Sequence, residues 1–200
     1  ESAKACSFHV AHAQATQTRG LALRHATTIV RTVAMRAVAT GDSAPLLHAL
    51  RDSRKAVRPL SLYVHVPFCA NICYYCACNK VITKDRGRAQ AYLQRLEQEI
   101  QLVACHLDPN QQVQQLHLGG GTPTFLSHDE LRQLMAQLRR HFNLQDDDSG
   151  DYGIEIDPRE ADWATMGLLR ELGFNRVSIG VQDLDPDVQR AVNRLQSLEE

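Results

Sequence analysis

Two hundred residues, 44% of them hydrophobic and 22% charged, make an ordinary folding chain that can bury a sizeable core. No apolar run approaches the roughly 20 residues that cross a bilayer, and a formal net charge of −1 without a basic patch points away from nucleic acid. The near-neutral total hides a division: residues 1–55 carry eight Lys/Arg against three Asp/Glu, a net +5, whereas 56–200 carry fourteen against twenty, a net −6.

Residues 1–55 read as an N-terminal extension and 56–200 as the N-terminal part of a truncated barrel domain. From Ser2 to Gly41 there is no acid, while Arg19, Arg24, Arg31 and Arg36 are spread among Ala, Thr and Val. Organelle transit peptides share that composition. A poorly ordered or non-native extension is the preferred reading, because no clear amphipathic stripe accompanies the arginines. His9, His12, His25 and His48 have no metal-ligand spacing and are expected in solvent. Residues 44–55, with Leu46, Leu47 and Leu50, predict a short helix ending before Pro59.

After Pro59 strands alternate with helices, the pattern of a parallel sheet. Strands are predicted at 61–66, 114–118, 153–157 and 177–182. In each, the apolar residues share one parity (Leu62, Val64, Val66; Leu116, Leu118; Ile154, Ile156; Val177, Ile179, Val181). Helices are predicted at about 85–106, 128–142, 160–172 (Trp163, Met166, Leu169, Leu172 inward) and from 186 onward (Val188, Ala191, Val192, Leu195). Ser127 with Glu130 forms a capping box, Gly173 is a helix stop, and Asp185-Pro186 a helix start. In a βα barrel the helices cover the apolar parity, so Tyr63, His65, His117, Glu155, Asp157 and Gln182 are expected to face the interior. The fold expected is α/β, a partial (β/α) barrel of about four βα units that stops within the fourth helix.

The unusual sequences fall where these strands end, the rim on which barrel active sites are built. After the first strand comes Cys69-x3-Cys73-x2-Cys76, three soft thiolates within eight residues. Iron–sulfur clusters require such donors, and three of them leave one iron of a cubane open to a substrate. A zinc knuckle is the alternative, but zinc sites pair two short hooks or add histidines, and beyond this loop the only later cysteine is Cys105. Cys78 sits too close to Cys76 to reach the remaining iron easily and is read as a neighbour of the cluster. Cys6 and Cys105 are expected to have no function, Cys105 as a small packed hydrophobe. The second strand ends in Gly119-Gly120-Gly121-Thr122-Pro123, the third in Glu155-Ile156-Asp157-Pro158 and the fourth in Gln182-Asp183. Glycines there let a ligand approach the backbone closely.

Six motifs in order, namely 59–69, 73–80, 116–124, 154–159, 173–183 and 192–194, resemble the oxygen-independent coproporphyrinogen III oxidases of the radical S-adenosylmethionine (SAM) superfamily. The resemblance covers residues from about 57 to 200. Cys78 favours these oxidases over a haem-trafficking paralogue that typically lacks the second cysteine of Cys76-Ala77-Cys78. It implies that Cys69, Cys73 and Cys76 hold a [4Fe-4S] cluster whose open iron chelates SAM. Gly119, Gly120, Gly121, Thr122, Glu155, Gln182, Arg194 and Tyr63 would contact SAM, with Tyr63 and Cys78 in catalytic positions.

The activity implied is radical oxidative decarboxylation of two propionates, converting coproporphyrinogen III to protoporphyrinogen IX in anaerobic haem biosynthesis. A reductant such as flavodoxin or ferredoxin would feed electrons to a cytoplasmic monomer. The family's N-terminal arm is not recognisable in residues 1–55, and the later barrel and C-terminal domain are absent. The alternatives are therefore a haem-binding or haem-transfer paralogue that keeps the cluster, and an inactive truncated fragment.

Overall fold

The computed structural model describes residues 44–56 and 58–197. The transit-like composition of residues 2–41, with Cys6, His9, His12 and His25, lies outside the described residues, as do the side chains of Leu46 and Leu47. The first described helix, α1, spans Ala44–Ala56.

Strand β1 (Leu60–Val66) is followed by the two-residue strands β2 (Phe68–Cys69) and β3 (Val81–Ile82), helix α2 (Gly87–Ala104) and strand β4 (Gln112–Gly120). Helix α3 (His128–His141), β5 (Asn143–Leu144), β6 (Asp151–Ile156), α4 (Trp163–Glu171), β7 (Arg176–Ile179) and α5 (Pro186–Ala191) complete the order. Among the described residues, β1, β4, β6 and β7 form one parallel sheet in sequence order, with β5 pairing β4. Parallel neighbours need long crossovers, and the predicted helices supply them.

Side-chain parity sorts β1, β4 and β6 as the sequence predicted. Val64, Val66, Leu116, Leu118, Ile154 and Ile156 are buried in one cluster with Leu93 and Ile100 of α2, Leu131, Leu134 and Leu138 of α3, and Leu168 and Leu169 of α4. The polar parity of β1, β4 and β6 occupies the opposite face. The caps also follow the sequence. Ser127 and Glu130 form a reciprocal capping box, the Asp185 carboxylate accepts from the backbone N–H groups of Asp187 and Val188, and Gly173 has φ +97° after α4. Asp162 caps α4 by accepting from the Thr165 N–H at 2.7 Å.

Four expectations fail. Trp163 is 92% exposed, because it is the first residue after the Asp162 cap and precedes the turn that packs. Strand β7 stops at Ile179 rather than 182, and Gln182 adopts φ 70° in the following loop, so Ile179 and Val181 are exposed instead of buried and Gln182 is not an inward strand residue. Helix α5 stops at Ala191, since Asn193 has φ 55°, so Val192, Arg194 and Leu195 are not helical. Cys105 is exposed, its thiol donating to the Leu102 carbonyl, instead of packed. No helix among the described residues is long and apolar enough to cross a membrane.

The pairing of β1 with β4 continues past both strands. The Gly121 N–H donates to the Val66 carbonyl at 2.8 Å and the Thr122 N–H to the Phe68 carbonyl at 2.7 Å. A Cβ on Gly121 would stand 2.5 Å from the Phe68 carbonyl oxygen, a backbone atom with no freedom to turn away. Gly121→Ala should therefore lower the urea midpoint by the equivalent of about 1–3 kcal/mol. An unchanged midpoint would show that the loop can shift at little cost.

Candidate active site

The four main strands run parallel, so the segments after Val66, Gly120, Ile156 and Ile179 emerge along one edge of the sheet. The cysteine loop is fixed there from both ends. The parallel pair β2–β3 sets Phe68 beside Val81 and Cys69 beside Ile82, the Val81 N–H donates to the Pro67 carbonyl, and the Thr83 N–H donates to the Cys69 carbonyl. Within the loop the Lys80 ammonium donates to the Cys76 carbonyl at 2.6 Å, and the Cys78 N–H lies 3.3 Å from the Cys76 sulfur. Cys69, Cys73 and Cys76 are half-buried, Cys78 is exposed, and all four are free thiols.

Thr122, buried at the end of the glycine run, points its Oγ1 at the Cys69 sulfur from 3.8 Å. Burial pushes the Cys69 thiol up, and the Thr122 contact partly offsets this. The Cys78 thiol is pushed up to about 11 by burial and then by the adjoining Cys76 thiol. Among the described residues no three His, Cys, Asp or Glu side chains are gathered to hold a single metal ion. Three free soft donors on one anchored loop are of the chemical type that an iron–sulfur cluster takes.

The glycines are small for reasons internal to the protein. A Cβ on Gly119 would meet the Glu155 carboxylate at 2.8 Å, and one on Gly120, already at φ +115°, would meet the His65 ring at 2.6 Å. With Gly121 against Phe68, all three lie against protein atoms, whereas the sequence suggested only close approach by a ligand.

On the polar face of the sheet, Glu155 accepts from the Gly120 N–H at 3.2 Å and pairs with His117 Nε2 at 3.2 Å, so each carboxylate oxygen has one partner. Burial raises the Glu155 pKa, but these hydrogen bonds and the charges of His117 and His65 outweigh it and hold the carboxyl below its ordinary value. Tyr63 stacks on His117 with ring centroids 5.9 Å apart, and its hydroxyl lies 3.4 Å from His65 Nδ1. The other ring nitrogen of His65 reaches the Asn79 carbonyl at 2.9 Å, which ties the network to the cysteine loop. Burial, then Glu155 and Cys78, push the Tyr63 hydroxyl strongly upward, so it remains neutral.

A second carboxylate of the same parity, Asp157, is almost closed off from water and carries two arginines. Arg159 binds it in a fork, Nε to Oδ1 at 3.0 Å and Nη2 to Oδ2 at 2.7 Å, while Arg194 Nη1 reaches Oδ2 at 3.0 Å. The Arg194 side chain is only 10% exposed and also donates to the Gly180 carbonyl at 2.5 Å. It is thus a buried, hydrogen-bonded cation, in contrast to a solvated helix arginine. A Cβ on Gly180 would lie 3.1 Å from the Gln182 amide nitrogen and 3.2 Å from Arg194, so Gln182 and Arg194 are brought together across this glycine. Burial raises the Asp157 pKa, and the two arginines override it, leaving the carboxyl depressed.

The predicted site residues therefore form two neighbouring groups. Tyr63, Gly119, Gly120 and Glu155 share one network, with Cys78 in electrostatic range of Tyr63 and Glu155; Cys69, Gly121 and Thr122 join the cysteine loop to the sheet. Arg194 and Gln182 lie at the end of β7. The sequence reading missed the bonding of His117 to Glu155 and of Arg159 to Asp157. The inward parity of His117 and Asp157 was the available signal.

A family model described as the Radical SAM superfamily matches residues 63–200. Among curated proteins, an oxygen-independent coproporphyrinogen III oxidase from Pseudomonas aeruginosa is 77% identical over 77% of this chain and 34% of its own length. One from Escherichia coli is 48% identical over 74% of this chain and 32% of its own. The solved structure of Escherichia coli coproporphyrinogen III oxidase, described as a radical SAM enzyme, aligns with TM-score 0.72 and 46% identity over 78% of this chain and 35% of that one. The chain spans about a third of the length of the curated relatives it matches.

Asp157→Asn would leave Arg194 buried against a neutral partner and should cost about 3–5 kcal/mol by urea denaturation. Because the folded pKa is depressed below the ordinary ~3.9, the stabilisation from Asp157 is complete above that pH and is lost as pH falls through the lower folded value. The variant should accordingly lose less stability than the parent below about pH 4. Parallel acid limbs would assign the pH dependence to other groups.

Proposed function

The chain belongs to the radical SAM superfamily, and from that premise we propose that it is the cluster-holding and SAM-holding part of an oxygen-independent coproporphyrinogen III oxidase. The observation that carries this reading is the anchored loop of Cys69, Cys73 and Cys76 beside an ionised Glu155 at one edge of a parallel sheet. The proposed parent reaction is oxidative decarboxylation of coproporphyrinogen III to protoporphyrinogen IX, in the cytoplasm, by a monomer supplied with electrons by flavodoxin or ferredoxin. When bound, a [4Fe-4S] cluster and SAM supply the one-electron chemistry that removes a hydrogen atom from a substrate propionate.

The chain's own residues bind and orient. Cys69, Cys73 and Cys76 would ligate three irons, and loading must displace the proton that burial holds on Cys69. Glu155, ionised and held in one plane by Gly120 and His117, offers its carboxylate to the ammonium or ribose of SAM. Tyr63, fixed by stacking and by His65, forms a neutral wall that carries a hydroxyl. Gly119, Gly120, Gly121 and Thr122 bring the backbone of the sheet edge to the same place. Gln182 and Arg194 line the far side, with Arg194 kept in position by Asp157. Cys78, beside the cluster ligands, completes the proposed catalytic surroundings.

Anaerobic reconstitution with iron and sulfide, followed by reduction and SAM addition, tests the reading. A cluster EPR signal that shifts with SAM, accompanied by 5′-deoxyadenosine release, is expected, and both should vanish in Cys69→Ala. Glu155→Gln should keep the signal but weaken SAM binding about tenfold or more, as loss of a charged hydrogen-bond partner implies. Zinc uptake with no iron–sulfur signal would refute the proposal.

A further inference from the structure

We infer that Val192, Asn193 and Arg194 form a latch that positions the cysteine loop, with Asn193 as its positioning residue. The inference deepens the reading of Cys69, Cys73 and Cys76 as cluster ligands and rests on it.

The loop has little packing of its own, since Ile72, Tyr74, Tyr75 and Cys78 are all exposed. Its position must come from backbone contacts, and two of these bracket Cys73. The Asn193 side-chain Nδ2 donates to the Ile72 carbonyl at 2.8 Å, and the Tyr74 N–H donates to the Val192 carbonyl at 2.9 Å. The middle cysteine is thus gripped on either side by one dipeptide, through contacts that span 118 and 121 residues of chain.

Asn193 can grip in this way because α5 ends just before it. Val192 closes the helix with its N–H on the Val188 carbonyl, and Asn193 turns the chain at φ 55°, a left-handed conformation that Asn accepts more readily than most residues. That turn directs the carboxamide at the loop. The base of the latch is rigid. The Arg194 N–H donates to the Gln189 carbonyl at 2.8 Å, and its guanidinium is held by Asp157 on one side and the Gly180 carbonyl on the other. A buried ion pair at the sheet edge therefore fixes an exposed loop through one side chain and one backbone carbonyl.

Asn193→Gly preserves the positive φ and removes the carboxamide; Asn193→Asp keeps shape and turn but cannot donate. Amide hydrogen exchange of Tyr74 in the 200-residue chain reads the latch without iron. Release of iron to a chelator after anaerobic reconstitution reads its effect on the cluster. Loss of one neutral hydrogen bond should speed both by roughly 2- to 12-fold in either variant, with exchange in the sheet unchanged. Tyr74 exchange equal to the parent's in both variants would overturn the latch. Faster exchange with unaltered iron release would overturn its role at the cluster. A parent chain that takes up no cluster would refute the cluster reading, and the Tyr74 amide would still decide whether the latch exists.

Discussion

The arrangement depends on one close approach of two backbone segments beyond the ends of β1 and β4. Where paired strands would ordinarily separate, residues 66–69 and 120–122 stay hydrogen-bonded, and the cysteine loop leaves from that seam. Gly121 makes the seam possible because its missing Cβ is the space the Phe68 carbonyl occupies. The same contact sets Thr122 against Cys69 and Gly120 against His65. A bulkier residue in the run would displace the loop and the polar network together, so the glycines serve the site by closing the protein onto itself.

From that seam, two carboxylates of one short segment take different partners and so different tasks. Glu155 of β6 and Asp157 just beyond its end share a parity, and burial opposes ionisation of both. Glu155 is kept ionised by single donors, a histidine and a backbone N–H, and remains half-exposed toward the loop. Asp157 is kept ionised by two guanidinium groups and is sealed in. The first is therefore available to a ligand, whereas the second is committed to structure. Through Arg194 that commitment extends to Asn193 and on to the loop around Cys73, so both ends of the candidate site are referred back to one short segment.

The proposed cluster ligands, Glu155 and the latch all lie within residues 63–194, and the contacts among them need no further segment. The exposed Ile179, Leu184 and Leu195 lie along and beyond β7, outside the apolar cluster that unites the first three strands with their helices.

The sequence by itself determined the parallel α/β architecture, because apolar residues at period two in each strand and at helical spacing between them leave one economical way to bury both. It also determined the spacing of the loop cysteines and the inward parity of Tyr63, His117, Glu155 and Asp157, since such properties follow from residue type and local spacing. It misplaced Trp163 and ran β7 and α5 too far, because a cap or a left-handed turn interrupts a periodic pattern without altering its composition. Only the tertiary structure decided that Arg194 is a buried partner of Asp157, that the glycines make room for protein atoms, and that Asn193 holds Ile72. These contacts join residues that lie 35 to 121 positions apart for the groups concerned, and no local periodicity records which distant polar atom will satisfy which.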